Sequence, residues 1–169
     1  MATNHTVSML LLGIILGLAA GISGTWFAMN SENGPTSAPE VSKIPIPQPG
    51  DAQNRQMVMQ TTLRFGEAVN KRDLSGFRDT TANAFRQAFS LERFNLSFRG
   101  FIEQSMDLTV VRNLEPAITE TNFNSAQGTQ RLAGTFPTRP SQLRFDYTFQ
   151  WEDDSWKVAG IDLAVVPVE

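Results

Sequence analysis

The side chains that most often carry enzyme chemistry are nearly absent from this sequence. It has no cysteine, and its single histidine, His5, lies close to the amino terminus. Disulfides, thiolate metal sites and cysteine nucleophiles are therefore excluded. Beyond residue 5 there is no imidazole to act as a base or zinc ligand, which removes Ser-His-Asp triads and most zinc sites. Any chemistry would rest on carboxylates, arginines and Tyr147, and we expect no metal and no cofactor.

Tyr147 is the one catalytic candidate, because it is the only tyrosine and lies centrally in the clearest predicted strand. Its hydroxyl could donate a hydrogen bond to an oxyanion. The alternative, which the apolar pattern around it favours, is a core residue whose hydroxyl bonds to the backbone. The remaining acids of interest are most simply exposed charges: Asp162, Glu67, Glu103 and Asp107.

The strand that carries Tyr147 alternates apolar and polar residues from Leu143 to Glu152. This period of two predicts one buried face and one face toward solvent. Asp153-Asp154-Ser155 supplies turn residues, and the alternation then restarts, which predicts a hairpin. The inner face predicts an apolar pocket lining of Phe145, Tyr147, Phe149, Trp151, Trp156 and Val158. The outer face predicts a partner contact or a solvated surface formed by Arg144, Asp146, Thr148 and Gln150.

Other strands flank this hairpin or precede it. The alternation shifts by one residue at Ala159-Gly160, which predicts a β-bulge that bends the last strand. Upstream, residues 128–136 and 117–123 are interpreted as two further strands, with Pro137 and Pro140 marking a strand end.

The first half of the domain has helical periodicity, and we predict three helices. The first runs from an N-cap at Asp51 to Asn70 and buries Val58, Thr62, Phe65 and Val69. Asp73 caps the second, which buries Phe77, Thr81, Ala84, Phe85 and Ala88. Ser90 caps the third, which buries Phe94, Phe98, Phe101, Ser105 and Leu108. Helices followed by an antiparallel meander indicate an α+β domain.

An uncharged apolar run, Met9 to Met29, precedes this domain. As a helix it would reach roughly 31 Å, enough to cross a bilayer core. A cleaved signal peptide is the alternative, but residues 1–8 carry no Lys or Arg. We expect a single-pass anchor in the inner (cytoplasmic) membrane, with the C-terminal domain in the periplasm. The small residues Gly13, Gly17, Gly21 and Thr25 recur every fourth position, which predicts a helix–helix contact in the membrane with another membrane protein or with a second copy.

The rest of the chain divides into a spacer and one domain. Residues 30–50 are rich in proline and indicate a semi-extended linker, and residues 51–169 have the size of a single soluble domain. The net charge is −3 with both signs interspersed, so no basic patch indicates nucleic acid as a partner.

The segment FDYTFQWEDDSWKVAGIDLAV resembles the final hairpin of the nuclear-transport-factor-like superfamily, which includes ketosteroid isomerase and SnoaL-type cyclases. The resemblance extends from Gln53 to Val166 and implies three helices packed on a curved sheet around a cone-shaped cavity. The His and paired-Asp arrangements of the enzymatic branches have no match here. That departure puts an isomerase or dehydratase activity in doubt.

Two classes of function remain. The first is a non-catalytic, membrane-anchored binding module, either a subunit or an assembly factor of a membrane complex. The periplasmic component of type IV secretion has a similar plan of one anchor and this fold, and it serves as an architectural analogy. The second is a small-molecule binder or enzyme of the ketosteroid-isomerase-like type that uses the aromatic cone.

Overall fold

The computed structural model describes residues 45–167, which form helices and one antiparallel sheet. The α+β prediction is therefore confirmed for this part of the chain. The predicted anchor, its face of Gly13, Gly17, Gly21 and Thr25, and linker residues 30–44 lie outside the described residues. None of the helices in the described part is long and apolar enough to span a membrane.

The first helix, α1, spans Asp51–Asn70, as the periodicity predicts. Val58, Phe65 and Val69 on its inner face are almost completely buried. The predicted N-cap at Asp51 is wrong, because the cap is Gly50, whose lack of a side chain leaves no capping bond. Asp51 lies instead in the first turn, where its negative charge is favourable to the helix dipole.

The predicted second helix is divided into α2, Ser75–Asp79, and α3, Asn83–Ala88. The break falls at two threonines whose hydroxyls donate to carbonyl oxygens three residues back, at 2.7 Å for Thr80 and 2.6 Å for Thr81. Such bonds compete with helix continuation. The backbone N–H of Ala82 then donates to the Val158 carbonyl oxygen in the sheet, at 2.8 Å.

The break changes which side chains of this stretch are buried. Phe77 and Thr81 are buried as predicted, and Phe85 is half-buried. Ala84 and Ala88 are exposed, so their predicted inward positions are wrong, because α3 does not continue the rotation of α2.

The third predicted helix begins as expected and then bends. Ser90 caps α4, Leu91–Ser97, by accepting from the Arg93 N–H at 3.3 Å. A second short helix, α5, spans Arg99–Glu103, and a 3-10 helix spans Leu108–Asn113. Ser105 is exposed with a φ of 48°, so its predicted inward position is wrong. The other residues predicted to face inward are buried: Phe94, Phe98, Phe101 and Leu108.

Four strands follow in the order in which they pair. They are β1, Ala117–Asn124; β2, Thr129–Phe136; β3, Ser141–Glu152; and β4, Ser155–Pro167. Asp153 and Asp154 both have positive φ, at 51° and 55°, which suits a tight two-residue hairpin turn. Trp151 pairs with Trp156 across that turn, as predicted.

Two bulges interrupt the ladders. In β4 the register shifts at Ala159, where the alternation of the sequence predicts it. A second shift lies in β1 at Thr119, opposite β2, and no pattern in the sequence indicates it. Bulges of this kind bend a strand and increase its local twist.

The helices cover one side of the sheet, here called the inner face, and build an aromatic core against it. Phe65 of α1 contacts the rings of Phe77, Phe98 and Phe101 at centroid distances of 5.4, 4.7 and 5.9 Å. The opposite side, called the outer face, carries the polar residues of β2, β3 and β4. Arg144, Asp146, Thr148 and Gln150 on this face do not belong to the hydrophobic core of residues 45–167.

Candidate functional site

Tyr147 lies in the core and has no exposed surface (0%). Its hydroxyl is 2.8 Å from Thr62 Oγ1, and Thr62 donates its own proton to the Val58 carbonyl oxygen at 2.9 Å. Because the Thr62 proton is used in this way, Tyr147 must donate to Thr62. Burial is the main cause that raises the pKa of Tyr147, and the negative charge of Asp162 adds to the increase. The partner is thus a side chain, where the sequence indicates a backbone group.

The side chains predicted to line a pocket form a packed aromatic row along the inner face. The rings of Phe145 and Tyr147 lie 5.4 Å apart, and those of Tyr147 and Phe149 lie 6.3 Å apart. Trp156 contacts Trp151 at 5.3 Å and reaches Phe123 of β1 at 6.3 Å. Phe145, Tyr147 and Phe149 therefore belong to the buried core, and Trp156 and Val158 pack against it.

A cavity of about 70 Å³ remains where the helices meet the β3–β4 hairpin. One face of α1 forms its first wall through side chains spaced three and four residues apart, Met57, Gln60, Thr61 and Arg64. That spacing places them in one stripe of the helix. Arg64 is exposed at the rim, and it makes no ion pair with any residue between 45 and 167.

The opposite wall comes from α2 and the hairpin, with Phe77, Thr80, Phe149, Trp156, Lys157 and Val158. Three of these are residues predicted to line a pocket, Phe149, Trp156 and Val158. Lys157 also borders the cavity, but its cross-strand partner is Gln150 of the outer face, and its Nζ lies 2.5 Å from Asp153 Oδ2. No carboxylate belongs to the cavity wall. The cavity therefore combines an apolar floor with hydroxyl, amide and cationic groups.

A larger, open groove of about 450 Å³ lies between α1 and the segment that leads into β1. Its two arginines are already paired, Arg55 with Glu115 at 3.2 Å and Arg112 with Glu67 at 3.9 Å. Compensated charges at an open surface offer little to a ligand. In the smaller cavity, by contrast, Arg64 makes no ion pair with described residues.

The outer face holds the residues predicted as a partner contact, Arg144, Asp146, Thr148 and Gln150. Arg131, which the sequence does not indicate, binds one of them, Asp146. Its Nε and Nη2 contact the two carboxylate oxygens of Asp146 at 2.9 and 2.5 Å, while Nη1 contacts Glu120 at 2.9 Å. These carboxylates raise the pKa of Arg131. Glu120, Arg131 and Asp146 lie on β1, β2 and β3, so their side chains meet only because these strands pair in this register.

Beside this network, Arg144 and Asp162 are two outer-face charges that make no ion pair with described residues. Asp162 lies directly opposite Asp146 in the β3–β4 ladder. Partial burial raises the pKa of Asp162, Arg144 lowers it, and the negative charge of Asp146 adds to the increase. Asp162 does point outward, as the alternation predicts, but it is half-buried.

The other acids considered from the sequence take structural or surface positions. Glu67 and Glu103 are exposed, and Glu103 contacts Arg99 within one helical turn at 2.5 Å. Asp107 caps the 3-10 helix by accepting from the N–H of Thr109 at 2.9 Å, and its hydrogen bonds from Thr109 hold its pKa below the ordinary value. None of the three lies at the cavity.

Gln130 is an exception to the apolar pattern of the inner face. It has no exposed surface (0%), and neither its Oε1 nor its Nε2 finds a partner among the described residues. Its register neighbours are Phe123 and Phe149. The indole N–H of Trp156 and Oδ1 of Asn54 are likewise buried and unpaired within residues 45–167. Each such group has a free-energy cost of about 1–3 kcal/mol.

Comparison with known proteins adds no family to this description. No protein-family model and no curated protein matches this chain. Within residues 45–167, no three His, Cys, Asp or Glu side chains lie together in a group that could hold a metal ion.

Proposed function

We propose that this protein is a non-catalytic, membrane-anchored binding module, a subunit or assembly factor of a membrane complex. Residues 9–29 would cross the inner membrane, residues 30–50 would act as spacer, and the folded domain would lie in the periplasm. Further, we propose a nuclear-transport-factor-like fold, with a curved sheet whose cone is filled by the aromatic row. The helices-then-meander order and the bulge at Ala159 support this fold.

The observation that carries the proposal is the contrast between the two faces of the sheet. On the inner face, Tyr147 is buried and its hydroxyl is used by Thr62, which argues against a catalytic role. On the outer face, the Arg131 network holds charged side chains in fixed positions at the surface. Bidentate pairs of this kind orient charges for recognition rather than for proton transfer.

A second copy of the chain is the occupant that the outer face fits best. Arg144 and Asp162 have opposite charges, lie on adjacent strands, and make no ion pair with described residues. A two-fold axis through this face would place Arg144 of each copy beside Asp162 of the other, because an isologous interface repeats every contact twice. Complementary charges on both sides favour one register over others.

A charge exchange tests this interface. In the full chain in neutral detergent, Arg144→Asp should weaken dimers by about tenfold or more, because each interface would then lose two ion pairs and gain two repulsions. The double variant Arg144→Asp with Asp162→Arg should restore them. Arg139→Asp makes the same charge change at an exposed loop position and should have no effect. Sedimentation that shows a monomer for the unmodified chain, or no rescue by the double variant, would contradict the interface.

The proposed contact in the membrane needs its own test. Gly17→Leu would place a bulky side chain on the glycine face and block close approach of a second helix. Ala19→Leu adds the same side chain on the opposite side of the proposed helix and serves as the control. We expect crosslinking within the membrane to fall only for Gly17→Leu. Equal crosslinking in both variants would contradict a role for the face of Gly13, Gly17, Gly21 and Thr25.

A further inference from the structure

The cavity between α1, α2 and the β3–β4 hairpin has no part in the proposed outer-face or membrane contacts, but its lining is suited to a ligand. Its floor is apolar, with Met57, Phe77 and Phe149, and the cation Arg64 of α1 stands in its wall. No acid belongs to this wall. Cationic groups at the edge of an apolar floor are the arrangement that holds an amphipathic anion.

Arg64 and Lys157 differ in whether their charge is already paired. Lys157 is bonded to Asp153, whose carboxylate lies outside the cavity wall. Arg64 has no ion pair with any of residues 45–167, so its guanidinium keeps its donors for a ligand or for solvent. A guanidinium binds a carboxylate through two parallel hydrogen bonds. Arg64 is therefore the anchor for a planar anion.

The size of the cavity limits the ligand. About 70 Å³ would hold roughly five water-sized groups. That space suits a short aliphatic chain, and it excludes steroid-sized or nucleotide-sized molecules. The buried hydroxyl-bearing Thr61 and the exposed Gln60 could complete the hydrogen bonds of the head group.

We propose that this cavity binds a short-chain carboxylate, whose apolar body contacts Phe77 and Phe149 and whose carboxylate pairs with Arg64. The site is independent of the outer-face interface, since no residue of the Arg131 network belongs to the cavity wall. Failure of one proposal therefore leaves the other standing.

Butyrate is the probe for this site, with butanamide as its neutral analogue of the same size. The readout is the indole N–H signal of Trp156 in the full chain in neutral detergent, assigned by its loss in Trp156→Phe. We expect butyrate to shift this signal in a saturable way and butanamide to bind about tenfold more weakly, because it loses the charge-assisted hydrogen bonds.

Two variants separate the proposed contact from a general charge effect. Arg64→Gln should weaken butyrate binding by about tenfold, the loss expected for one charged hydrogen-bond partner. Lys71→Gln removes an exposed cation at the end of α1, away from the cavity, and should leave binding unchanged. The proposal is overturned if butyrate gives no saturable shift, if butanamide binds equally well, or if the two variants bind alike.

Discussion

At the scale of single residues, the direction of one buried hydrogen bond decides the roles of two side chains. Thr62 donates its hydroxyl proton to the Val58 carbonyl oxygen, so Tyr147 is the donor in the Thr62–Tyr147 pair. Removing the acceptor leaves a buried hydroxyl proton without a partner. Removing the donor leaves Thr62 still bonded through its own proton.

This asymmetry predicts unequal costs for two conservative substitutions. Thr62→Val should lower the free energy of unfolding by about 1–3 kcal/mol, whereas Tyr147→Phe should cost only about 1 kcal/mol. The double variant should resemble Tyr147→Phe alone, because no unpaired donor then remains. Chemical denaturation with all three variants gives the measurement. A larger loss for Tyr147→Phe than for Thr62→Val would contradict the assigned direction.

Asp162 gives a pH dependence whose sign follows from its burial. Because its pKa is raised in the folded state, the native protein holds this proton more tightly than the unfolded chain does. Ionised Asp162 therefore costs stability, and this cost develops as the pH rises from the ordinary carboxyl pKa through the raised value. Above that value the cost is constant, and below about pH 4 it disappears.

Asp162→Asn tests this linkage, because the amide resembles the protonated acid. At concentrations that keep the chain monomeric, we expect the variant to unfold at higher denaturant concentration than the unmodified protein at pH 7. The difference should shrink as the pH falls toward 4. Asp79→Asn, at an exposed position, is the control. A difference that grows on acidification would show that the ionised form is stabilising.

At the scale of elements, what the sequence predicts well is local. The alternation from Leu143 to Glu152, the hairpin at Asp153-Asp154 and the bulge at Ala159 all depend on neighbours in the chain, and the structure has all three. The second helix fails because Thr80 and Thr81 have local hydrogen bonds and Ala82 has a sheet partner, which periodicity does not encode.

The candidate surfaces depend on tertiary contacts, so their chemistry was harder to predict. The outer-face positions Arg144 and Asp146 follow from the period of β3. By contrast, the bonding of Arg131 to Glu120 and Asp146 requires the register of three strands, and the cavity requires α1, α2 and the hairpin to meet. Gln130 shows the limit most clearly, because a polar residue at an inner position of β2 contradicts the pattern that predicts burial.

Beside the β1 bulge, Gly134 of β2 lies very close to the backbone of β1. A Cβ at this position would overlap the Ala117 carbonyl oxygen and lie 2.9 Å from the Cα of Ile118, both backbone atoms that cannot rotate away. Gly134→Ala should therefore displace β1 and cost about 1–3 kcal/mol, as overpacking does. Gly76→Ala, on α2 with nothing within 4 Å, should instead stabilise by about 0.5–1 kcal/mol. Equal effects in thermal unfolding would contradict the tight β1–β2 contact.

At the scale of the whole molecule, the domain begins before α1. Pro49 is buried and Ile46 is half-buried, although both belong to the predicted linker. Ile46 lies against Gly128, where φ is +64° and a Cβ would come within 2.8 Å of Ile46 Cδ1. Glycine at this turn thus serves both the left-handed backbone and the close approach of the incoming chain. The free part of the proposed spacer is shorter than residues 30–50.

Ile46→Ala tests where the folded domain begins, and with it how closely a membrane anchor could hold the domain. If Ile46 packs as part of the domain, its truncation should lower the free energy of unfolding by about 1 kcal/mol, the value for a half-buried aliphatic side chain. Gln48→Ala, at an exposed position of the same segment, should change it by less than about 0.5 kcal/mol. Because the chain enters beside Gly128, the β1–β2 turn and the β3–β4 hairpin would then be the end of the domain nearest the anchor. Equal effects of the two substitutions would indicate that the folded domain begins at Asp51. The whole linker, residues 30–50, would then separate the domain from the anchor, and no particular end of the domain would be held near the membrane.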